Sequence, residues 1–491
     1  MEVVIALDAG TTSVRAVALD RSGREVATAS RPLESSFPAP GLVEQDAAEI
    51  AEIAVAVLRA VATTIHHDGH HPIALGLTNQ RETTVAFDRD SGHVPHRALV
   101  WQDRRTASRC DELRSLGVEP RLRRTTGLVL DPYFSATKME WLADHGLLDD
   151  LVAPSLATLD TWLVWWLTGG ADGGEFLTEP SNASRTLLLD LTTLSWSSPL
   201  LATFGVDRDF LPDVRPSTGP FGHVDGRVVP ELAHLPIAAV LGDQQAALFG
   251  QAGFDRGVVK ATYGTGSFVL AHAGDAPPAP VDGLLGTVAW DLGPFGPTSY
   301  ALEGSAFVAG AAVQWLRDEL GLIAAASDLE PLARTVADAG GVQVVPAFTG
   351  LGSPFWRPDA RGAITGLSSA SGPGHLARAL VTSLAHQVRA MTDAMSGAGL
   401  TPVEIRADGG AAAMDLLLEL QATDSRVEVV RSAHLEATAR GAATLAGLAT
   451  GFWGSLDELA RLWSMDRRVQ PADPAILDAD YAAWRRAVER A

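Results

Sequence analysis

The hydrophobic pattern of the chain repeats one local motif twice. The apolar run Val3 to Leu7 stops at Asp8, a turn of Gly, Thr and Ser follows, and Val14 to Leu19 resumes a strand-like pattern. Val258 to Tyr263 leads in the same way through a Gly-Thr-Gly-Ser turn into Phe268 to Ala271. Each passage predicts a strand, a polar turn and a second strand.

The two turns lie about half the chain apart, which predicts two domains of related build. We place them at residues 1–250 and 251–491, with a cleft between them as the expected ligand site. Helices begin at two capping patterns, Asp46 to Glu49 and Ser455 to Glu458. The mixture of strands and helices predicts an α/β fold.

Composition supports two large folded domains and excludes several partners. The chain has 491 residues, more than one hydrophobic core accommodates, and 46% of them are apolar. A net charge of -21 with no basic block argues against nucleic acid and against anionic membrane surfaces. The apolar segment Trp162 to Leu167 is too short to span a membrane. With Cys110 as its single cysteine, the chain is expected in a reducing compartment, the cytoplasm.

Both polar turns suit phosphate groups. Gly, Thr and Ser in a tight turn offer backbone N–H groups and hydroxyls without a bulky side chain. Neither turn is a Walker or Rossmann loop, and one such turn alone is more typical of an ordinary β-turn; their pairing favours nucleotide binding. Asp8, at the end of the first strand, is placed to hold a Mg²⁺ ion that bridges phosphates.

A third element has glycines at a strand end. Ile405 to Asp408 reads as a strand, Gly409 and Gly410 follow, and Ala411 to Leu420 reads as a helix. The glycines allow a nucleoside to approach the backbone. An ordinary strand-to-helix joint explains the same pattern equally well.

Phosphoryl transfer to an alcohol requires a carboxylate that accepts the hydroxyl proton. Asp243 follows the apolar strand Ile237 to Leu241 and precedes a predicted helix from Gln244 to Phe249. The helix dipole at this position favours the ionised carboxylate. The alternative is an aspartate that only caps the helix.

Three further segments offer groups for a polyol. Arg81 and Glu82 pair a rigid donor with an acceptor and can grip two neighbouring hydroxyls, although such a pair is more often a solvated ion pair. Trp101 and Tyr133 can form an apolar wall, or belong to the core.

The histidine-rich run from residue 66 to residue 71 lacks the spacing of zinc ligands and predicts a loop.

Taken together, these segments resemble the FGGY carbohydrate kinase family from about Val3 to Trp463. The resemblance rests on the number, order and spacing of its motifs. They are ALDAGTTSVRAVALD, GLVEQD, GLTNQRETTVAFD, VWQDRRT, TGLVLDPYFSATK, SNASRT, GDQQAALFGQ, TYGTGSF, ALEGSAFVAGAAVQWLRDE, PAFTGLGSPFW, ADGGAAA and ATARGAATLAGLATGFW. The resemblance implies two actin-like ATPase (ribonuclease H-like) domains that close over ATP in an interdomain cleft.

The resemblance also implies residue roles. The nucleotide-binding residues would be Thr11, Thr12, Ser13, Arg15, Thr265, Gly266, Gly310, Gln314, Gly410 and Met414. The acceptor-binding residues would be Arg81, Glu82, Trp101, Tyr133, Asp243, Gln244 and Phe268. Asp243 would be the general base, and Asp8 and Asp243 would hold Mg²⁺.

The implied reaction is transfer of the γ-phosphate of ATP to glycerol, with sn-glycerol 3-phosphate as the product. Three alternatives stay open: a kinase of this family for another polyol or a ketose, an actin-like ATPase without an acceptor, and an inactive binding module. Related kinases often form dimers or tetramers, but no segment of this sequence identifies an interface.

The chain departs from the family pattern at three places. Met414 stands where an asparagine is usual and cannot make the hydrogen bond expected near the adenosine, so we expect weaker ATP binding or a looser base preference. Leu420 to Arg426 and Ala261 also differ from the usual residues, and neither difference has a physical explanation.

Overall fold

The computed structural model describes residues 1–434 and 436–491. The strands, numbered along the chain, are β1 (Glu2–Ala9), β2 (Ser13–Asp20), β3 (Glu25–Pro32), β4 (Glu44–Gln45), β5 (His71–Asn79), β6 (Thr84–Asp88), β7 (Ala98–Leu99), β8 (Pro154–Thr158), β9 (Leu177–Thr178), β10 (Leu189–Asp190), β11 (Ser195–Trp196), β12 (Asp213–Val214), β13 (Ile237–Gly242), β14 (Val258–Tyr263), β15 (Ser267–Gly274), β16 (Leu285–Asp291), β17 (Thr298–Ala306), β18 (Gln343–Val345), β19 (Ala363–Thr365), β20 (Glu404–Asp408), β21 (Val429–Ser432) and β22 (Met465–Val469).

The α-helices are α1 (Ala47–His67), α2 (Ala107–Ser115), α3 (Glu119–Thr126), α4 (Ala136–Asp144), α5 (Leu159–Leu167), α6 (Pro180–Ala183), α7 (Ser198–Phe204), α8 (Asp243–Gly250), α9 (Gly310–Asp318), α10 (Leu329–Ala333), α11 (Pro373–Gly397), α12 (Asp415–Ser425), α13 (Ala437–Ala449), α14 (Leu456–Leu462) and α15 (Ala475–Arg490). None of the described helices is both long enough and apolar enough to cross a membrane.

Two large sheets share one topology. The first has the strand order β13-β5-β1-β2-β3, and the second has the order β16-β17-β15-β14-β20-β21-β22. In the first sheet, β1, β2 and β3 are antiparallel neighbours, and β5 and β13 run parallel to β1. In the second, β14, β15 and β17 are antiparallel neighbours, and β20 and β21 run parallel to β14. This repeat confirms the predicted α/β fold of two related domains.

The predicted helix starts at Asp46 and Ser455 have the expected caps. The Asp46 carboxylate accepts hydrogen bonds from the N–H groups of Ala48 and Glu49 at the start of α1. The Ser455 hydroxyl accepts one from the N–H of Glu458 at the start of α14. Within the histidine-rich run, residues 68–70 form the predicted loop, whereas His66 and His67 end α1 and His71 begins β5, so the loop is shorter than predicted.

The predicted helix from Ala411 to Leu420 begins too early. Residues Gly410–Ala413 form a single 3₁₀ turn, Met414 is extended, and α12 begins at Asp415. The N–H groups of Asp415 and Leu416 donate to the carboxylate of Glu330 at 3.0 Å each. A side chain distant in sequence therefore caps this helix, and the local pattern does not reveal it.

Helix α13 lies in the second half of the chain but packs on the first sheet. One glycine on each side permits a close approach: a Cβ on Gly441 of α13 would overlap the carbonyl oxygen of Ala246 in α8, and a Cβ on Gly76 of β5 would overlap that of Ala442 in α13. Apolar side chains of α13, α8 and β1 share one core cluster. A helix from beyond residue 250 thus supports α8 and the first sheet. The division of the chain at residue 250 stays a prediction.

Gly441→Ala is expected to destabilise the fold, because the added methyl group forces α13 away from α8. Overpacking of this kind costs about 1–3 kcal/mol, and more where backbone atoms clash. We expect a clearly lower melting temperature by calorimetry.

Gly397→Ala is the matched control, since Gly397 also lies in a helix and an added Cβ there meets no atom within 4 Å. This control should be neutral or stabilising by up to about 1 kcal/mol. Equal melting temperatures for the two variants would contradict the described packing of α13.

Candidate active site

Polar side chains meet where three parallel strands of the first sheet end. Asp8 lies near the end of β1, Arg81 follows the end of β5, and Asp243 follows the end of β13. Parallel strands present their carboxyl ends at one edge of a sheet, so segments distant in sequence converge there. The Nε atom of Arg81 lies 3.1 Å from Oδ1 of Asp243.

Asp243 is the first residue of α8, and the N-cap position belongs to Gly242. Oδ1 of Asp243 accepts a hydrogen bond of 2.7 Å from the N–H of Gln244. Among the described residues, none donates a hydrogen bond to Oδ2, and the side chain is 25% exposed. One carboxylate oxygen is thus held by the protein, and the other is available to a ligand.

Asp8 lies within range of the negative charge of Asp243. Burial, together with the negative charge of Asp243, raises the pKa of Asp8 to about 7, although Arg15 acts in the opposite direction. Two carboxylates that repel each other in this way suit a divalent cation. No group of three or more metal-binding side chains lies together among the described residues. A pair of carboxylates such as Asp8 and Asp243 fits Mg²⁺, which keeps water and phosphate oxygens as most of its ligands.

A buried cluster of four charged side chains includes two of the predicted acceptor residues, Arg81 and Glu82. Arg81 and Arg185 both donate to the carboxylate of Glu303, at 2.5 and 3.1 Å from Arg81 and 2.9 Å from Arg185. Arg185 also donates to Glu82 at 2.6 Å. Burial alone would raise the pKa of Glu303, but the two guanidinium groups outweigh it and lower the pKa to about 2. Glu303 is therefore ionised, and the cluster is a fixed array of charges.

Arg81 is fully engaged within this cluster. Besides its hydrogen bonds to Glu303 and its ion pair with Asp243, the guanidinium donates to Gln245 at 3.2 Å and to the hydroxyl of Tyr133 at 3.4 Å. The predicted grip of Arg81 on an alcohol would thus replace one of these contacts. Glu82 adopts a left-handed backbone with φ 63, a strained conformation that is common at functional sites.

Three aromatic rings form one wall of the site. Trp101 packs edge to face against Tyr133 at 5.7 Å and against Phe268 at 6.2 Å. Trp101 and Tyr133 belong to the first half of the chain, whereas Phe268 lies on β15 of the second sheet. The structure therefore brings predicted acceptor residues of both halves into contact.

The first polar turn touches the aromatic wall. The indole N–H of Trp101 donates to Oγ1 of Thr11 at 3.0 Å, and Gln45 donates to the carbonyl oxygen of Thr11 at 2.7 Å. Thr12 is exposed, and Ser13 begins β2. Arg15 forms an ion pair with Glu436, which directly precedes α13. The predicted phosphate and acceptor sites are thus linked by a direct hydrogen bond.

The second polar turn is bound to the start of α9. The carbonyl oxygen of Thr265 accepts from the N–H of Ala309 at 2.8 Å, and that of Gly264 accepts from Gly310 at 2.9 Å. Only glycine fits at position 310, because a Cβ there would lie 2.6 Å from the Gly264 oxygen. Gly266 closes the turn by accepting from the N–H of Gly264 at 2.9 Å.

Three predicted nucleotide residues lie outside these contacts. Gln314 and Gly410 are exposed, and Met414 is half-buried beside the core of the second half. Among the described residues, no hydrogen bond joins any of the three to either polar turn. Their assignment to the nucleotide site stays a prediction.

The sequence prediction missed three buried charged residues, Arg185, Lys260 and Glu303, each 0% exposed. Lys260 donates to Oε1 of Gln244. Lys260 and Glu303 are each the single charged residue of a mostly buried strand, where an isolated charge signals a buried partner. That signal could have identified both residues, although not their partners.

Comparisons with known proteins agree with this geometry. The model of the FGGY family of carbohydrate kinases, N-terminal domain, matches residues 3–250, and that of the C-terminal domain matches residues 259–450. The chain is 46% identical to a glycerol kinase of Leptothrix cholodnii, with 100% of this chain and 99% of the relative aligned. It is 47% identical to a glycerol kinase of Trichlorobacter lovleyi, with 100% and 99% aligned.

Two solved structures have the same fold. The crystal structure of Plasmodium falciparum glycerol kinase with ADP superposes with a TM-score of 0.93 at 32% identity, covering 100% of this chain and 98% of that chain. A gluconate kinase from Lactobacillus acidophilus superposes with a TM-score of 0.90 at 21% identity, with the same coverage, and at that identity it supports the fold alone. The chain belongs to the FGGY family of carbohydrate kinases.

Proposed function

We propose that this chain transfers the γ-phosphate of ATP to a terminal hydroxyl of glycerol, giving ADP and sn-glycerol 3-phosphate. The observation that carries the proposal is the position of Asp243, which leaves Oδ2 available at the edge where β1, β5 and β13 end. Relatives that match over nearly their whole length are named glycerol kinase, and the superposed Plasmodium enzyme carries ADP.

The proposed mechanism follows from the two oxygens of Asp243. Oδ1 is held by the N–H of Gln244 and by Arg81, so the side chain keeps one orientation. Oδ2 accepts the proton of the terminal hydroxyl as that oxygen bonds to the γ-phosphorus. The bond from that phosphorus to the β,γ-bridging oxygen breaks, and ADP leaves with its electron pair.

The acceptor would lie between the aromatic wall and the charged cluster. Trp101, Tyr133 and Phe268 would cover its carbon chain, and Arg81, Glu82 and Gln244 would bind the hydroxyls that do not react. These side chains come from both halves of the chain, so closure of the cleft completes the pocket and excludes water.

The phosphates would lie between the two polar turns. We assign Thr11, Thr12, Ser13 and Arg15 to them from the first half, and Thr265 and Gly266 from the second. The remaining nucleotide residues in this assignment are Gly310, Gln314, Gly410 and Met414. Asp8 and Asp243 would hold Mg²⁺, which neutralises charge on the phosphate oxygens when bound.

Further assignments complete the proposal. We divide the chain into a polyol-binding domain, residues 1–250, and a nucleotide-binding domain, residues 251–491. The expected partner is a small polyol and not a nucleic acid, and the expected location is the cytoplasm, where ATP is available and Cys110 stays reduced. Assembly as a dimer or tetramer is also expected.

An acceptor panel tests the proposed function. We expect ATP-dependent ADP release to be fastest with glycerol among glycerol, dihydroxyacetone, xylulose, ribulose and ribitol, because a pocket that binds hydroxyls rejects a mismatch by factors of up to about 10⁴. A faster rate with a ketose or ribitol would favour the second candidate, another kinase of the family. ADP release that no acceptor stimulates would identify an ATPase, and no release at all would identify a binding module.

Asp243→Asn is expected to lower kcat about 10²- to 10⁴-fold while glycerol still binds, because the amide cannot accept the hydroxyl proton. Steady-state kinetics and calorimetric titration with glycerol measure the two effects. Asp46→Asn is the matched control, since it alters an aspartate at another helix start where asparagine caps equally well. Turnover of Asp243→Asn near that of the control would remove Asp243 from the role of base.

Met414→Asn is expected to bind ATP more tightly by about 2- to 12-fold, the value of one neutral hydrogen bond, and to discriminate better between ATP and GTP. Met414→Leu, which preserves the apolar volume, should match the unaltered chain. Nucleotide titrations measure both variants. Unchanged affinity and base preference in Met414→Asn would show that residue 414 lies away from the base.

A further inference from the structure

The chain contains only two lysines, Lys138 and Lys260, among its 38 basic residues; all the others are arginines. Both lysines are 0% exposed, although lysine is among the residues that are least often buried. Both also contact residues of the acceptor set. Nζ of Lys138 donates to the carbonyl oxygens of Tyr133 at 3.2 Å and Trp101 at 3.5 Å, and Nζ of Lys260 donates to Oε1 of Gln244.

Lys260 reaches Gln244 from the other half of the molecule. It lies on β14 of the second sheet, whereas Gln244 is the second residue of α8 and directly follows Asp243. Burial lowers the pKa of Lys260 to about 8, although the negative charges of Asp408 and Asp243 act in the opposite direction, so the ammonium form still predominates at pH 7. Lys260 thus supports a site on the first sheet.

The contact with Lys260 determines how the amide of Gln244 is oriented. An ammonium group has three donors and no acceptor, so the atom of Gln244 that faces it is the amide oxygen. The amide NH₂ group is then the part of Gln244 left for a ligand. An NH₂ group donates hydrogen bonds and accepts none.

We propose that Lys260 is a positioning residue of the acceptor site, which holds the amide oxygen of Gln244 so that its NH₂ group donates to a hydroxyl oxygen of the acceptor. This inference rests on the proposed function. Gln244 would then donate to a hydroxyl that is bound, whereas Oδ2 of the adjacent Asp243 would accept the proton of the hydroxyl that reacts. Arginine would not replace Lys260, because its planar guanidinium is larger than an ammonium.

Lys260→Met tests the role directly, since methionine fills similar space without a donor. We expect the KM for glycerol to rise about 10- to 100-fold, because the amide of Gln244 is free to rotate, while the KM for ATP changes less than about 2-fold. A merely structural role would alter both constants together. Equal changes in the two KM values, or no change in either, would overturn the proposal.

A double-mutant cycle shows whether Lys260 acts through Gln244. In a Gln244→Leu background, Lys260→Met should have almost no further effect on the KM for glycerol, since the side chain that it positions is absent. Lys138→Met is the matched control: it acts on Trp101 and Tyr133, so its effect should add to that of Gln244→Leu. Additive effects of Lys260→Met would overturn the proposal.

Gln244→Glu tests the orientation of the amide with Lys260 intact, which matters if Lys260→Met does not fold. The new carboxylate would offer an acceptor in place of the NH₂ donor, so the KM for glycerol should rise at least as much as in Gln244→Leu. A KM within about 3-fold of the unaltered chain would show that the amide oxygen faces the acceptor and would overturn the proposal.

The unaltered chain is assayed first with the acceptor panel. If glycerol does not stimulate its ADP release, the proposed function fails before any variant is measured. If glycerol does stimulate it, the variants test Lys260 alone.

Discussion

The carboxylate of Glu303, held by two buried arginines, is the interaction on which the rest of the site depends. Glu303 lies on β17 of the second sheet, while Arg81 and Arg185 belong to the first half of the chain. A buried ion pair of this kind is costly to break, because removal of one partner leaves an uncompensated charge. Through Arg81 the cluster reaches Asp243, and through Arg185 it reaches Glu82. Charges from both halves therefore fix the orientation of the acceptor residues.

The duplicated sheets explain why the reacting groups meet between the two halves. Each sheet ends its first strand in a polar turn of small residues, and parallel neighbours of that strand deliver the other functional side chains to the same edge. In the first sheet these are Arg81 and Asp243, and in the second sheet the end of β20 presents Asp408 beside Lys260. Helix α13 then joins the halves by packing closely on α8 and β5. One topology, used twice, thus provides the two sides between which we propose that the phosphates and the acceptor bind.

Local patterns predicted much of this arrangement. Both polar turns, the capped helices at Asp46 and Ser455, and the strand that leads into Asp243 depend on residues close in sequence, which is why they could be read directly. The late start of α12 could not be predicted from local residues, because Glu330 supplies its cap from a distant segment. The partners of Glu303 and Lys260 were missed for the same reason: contacts between distant segments leave only a single charged residue within a strand as their sequence signal. The assignments of Gln314, Gly410 and Met414 depend on family resemblance and not on such patterns.

Asp243 is expected to meet the attacking hydroxyl while both polar turns hold the triphosphate. A crystal structure of the chain with glycerol, Mg²⁺ and a non-hydrolysable ATP analogue tests this claim most directly. We expect Oδ2 of Asp243 to lie about 2.6–3.2 Å from a terminal hydroxyl of glycerol, the distance required of a general base. Glycerol bound with all of its hydroxyls beyond the reach of Asp243, or phosphates bound away from both turns, would contradict the account.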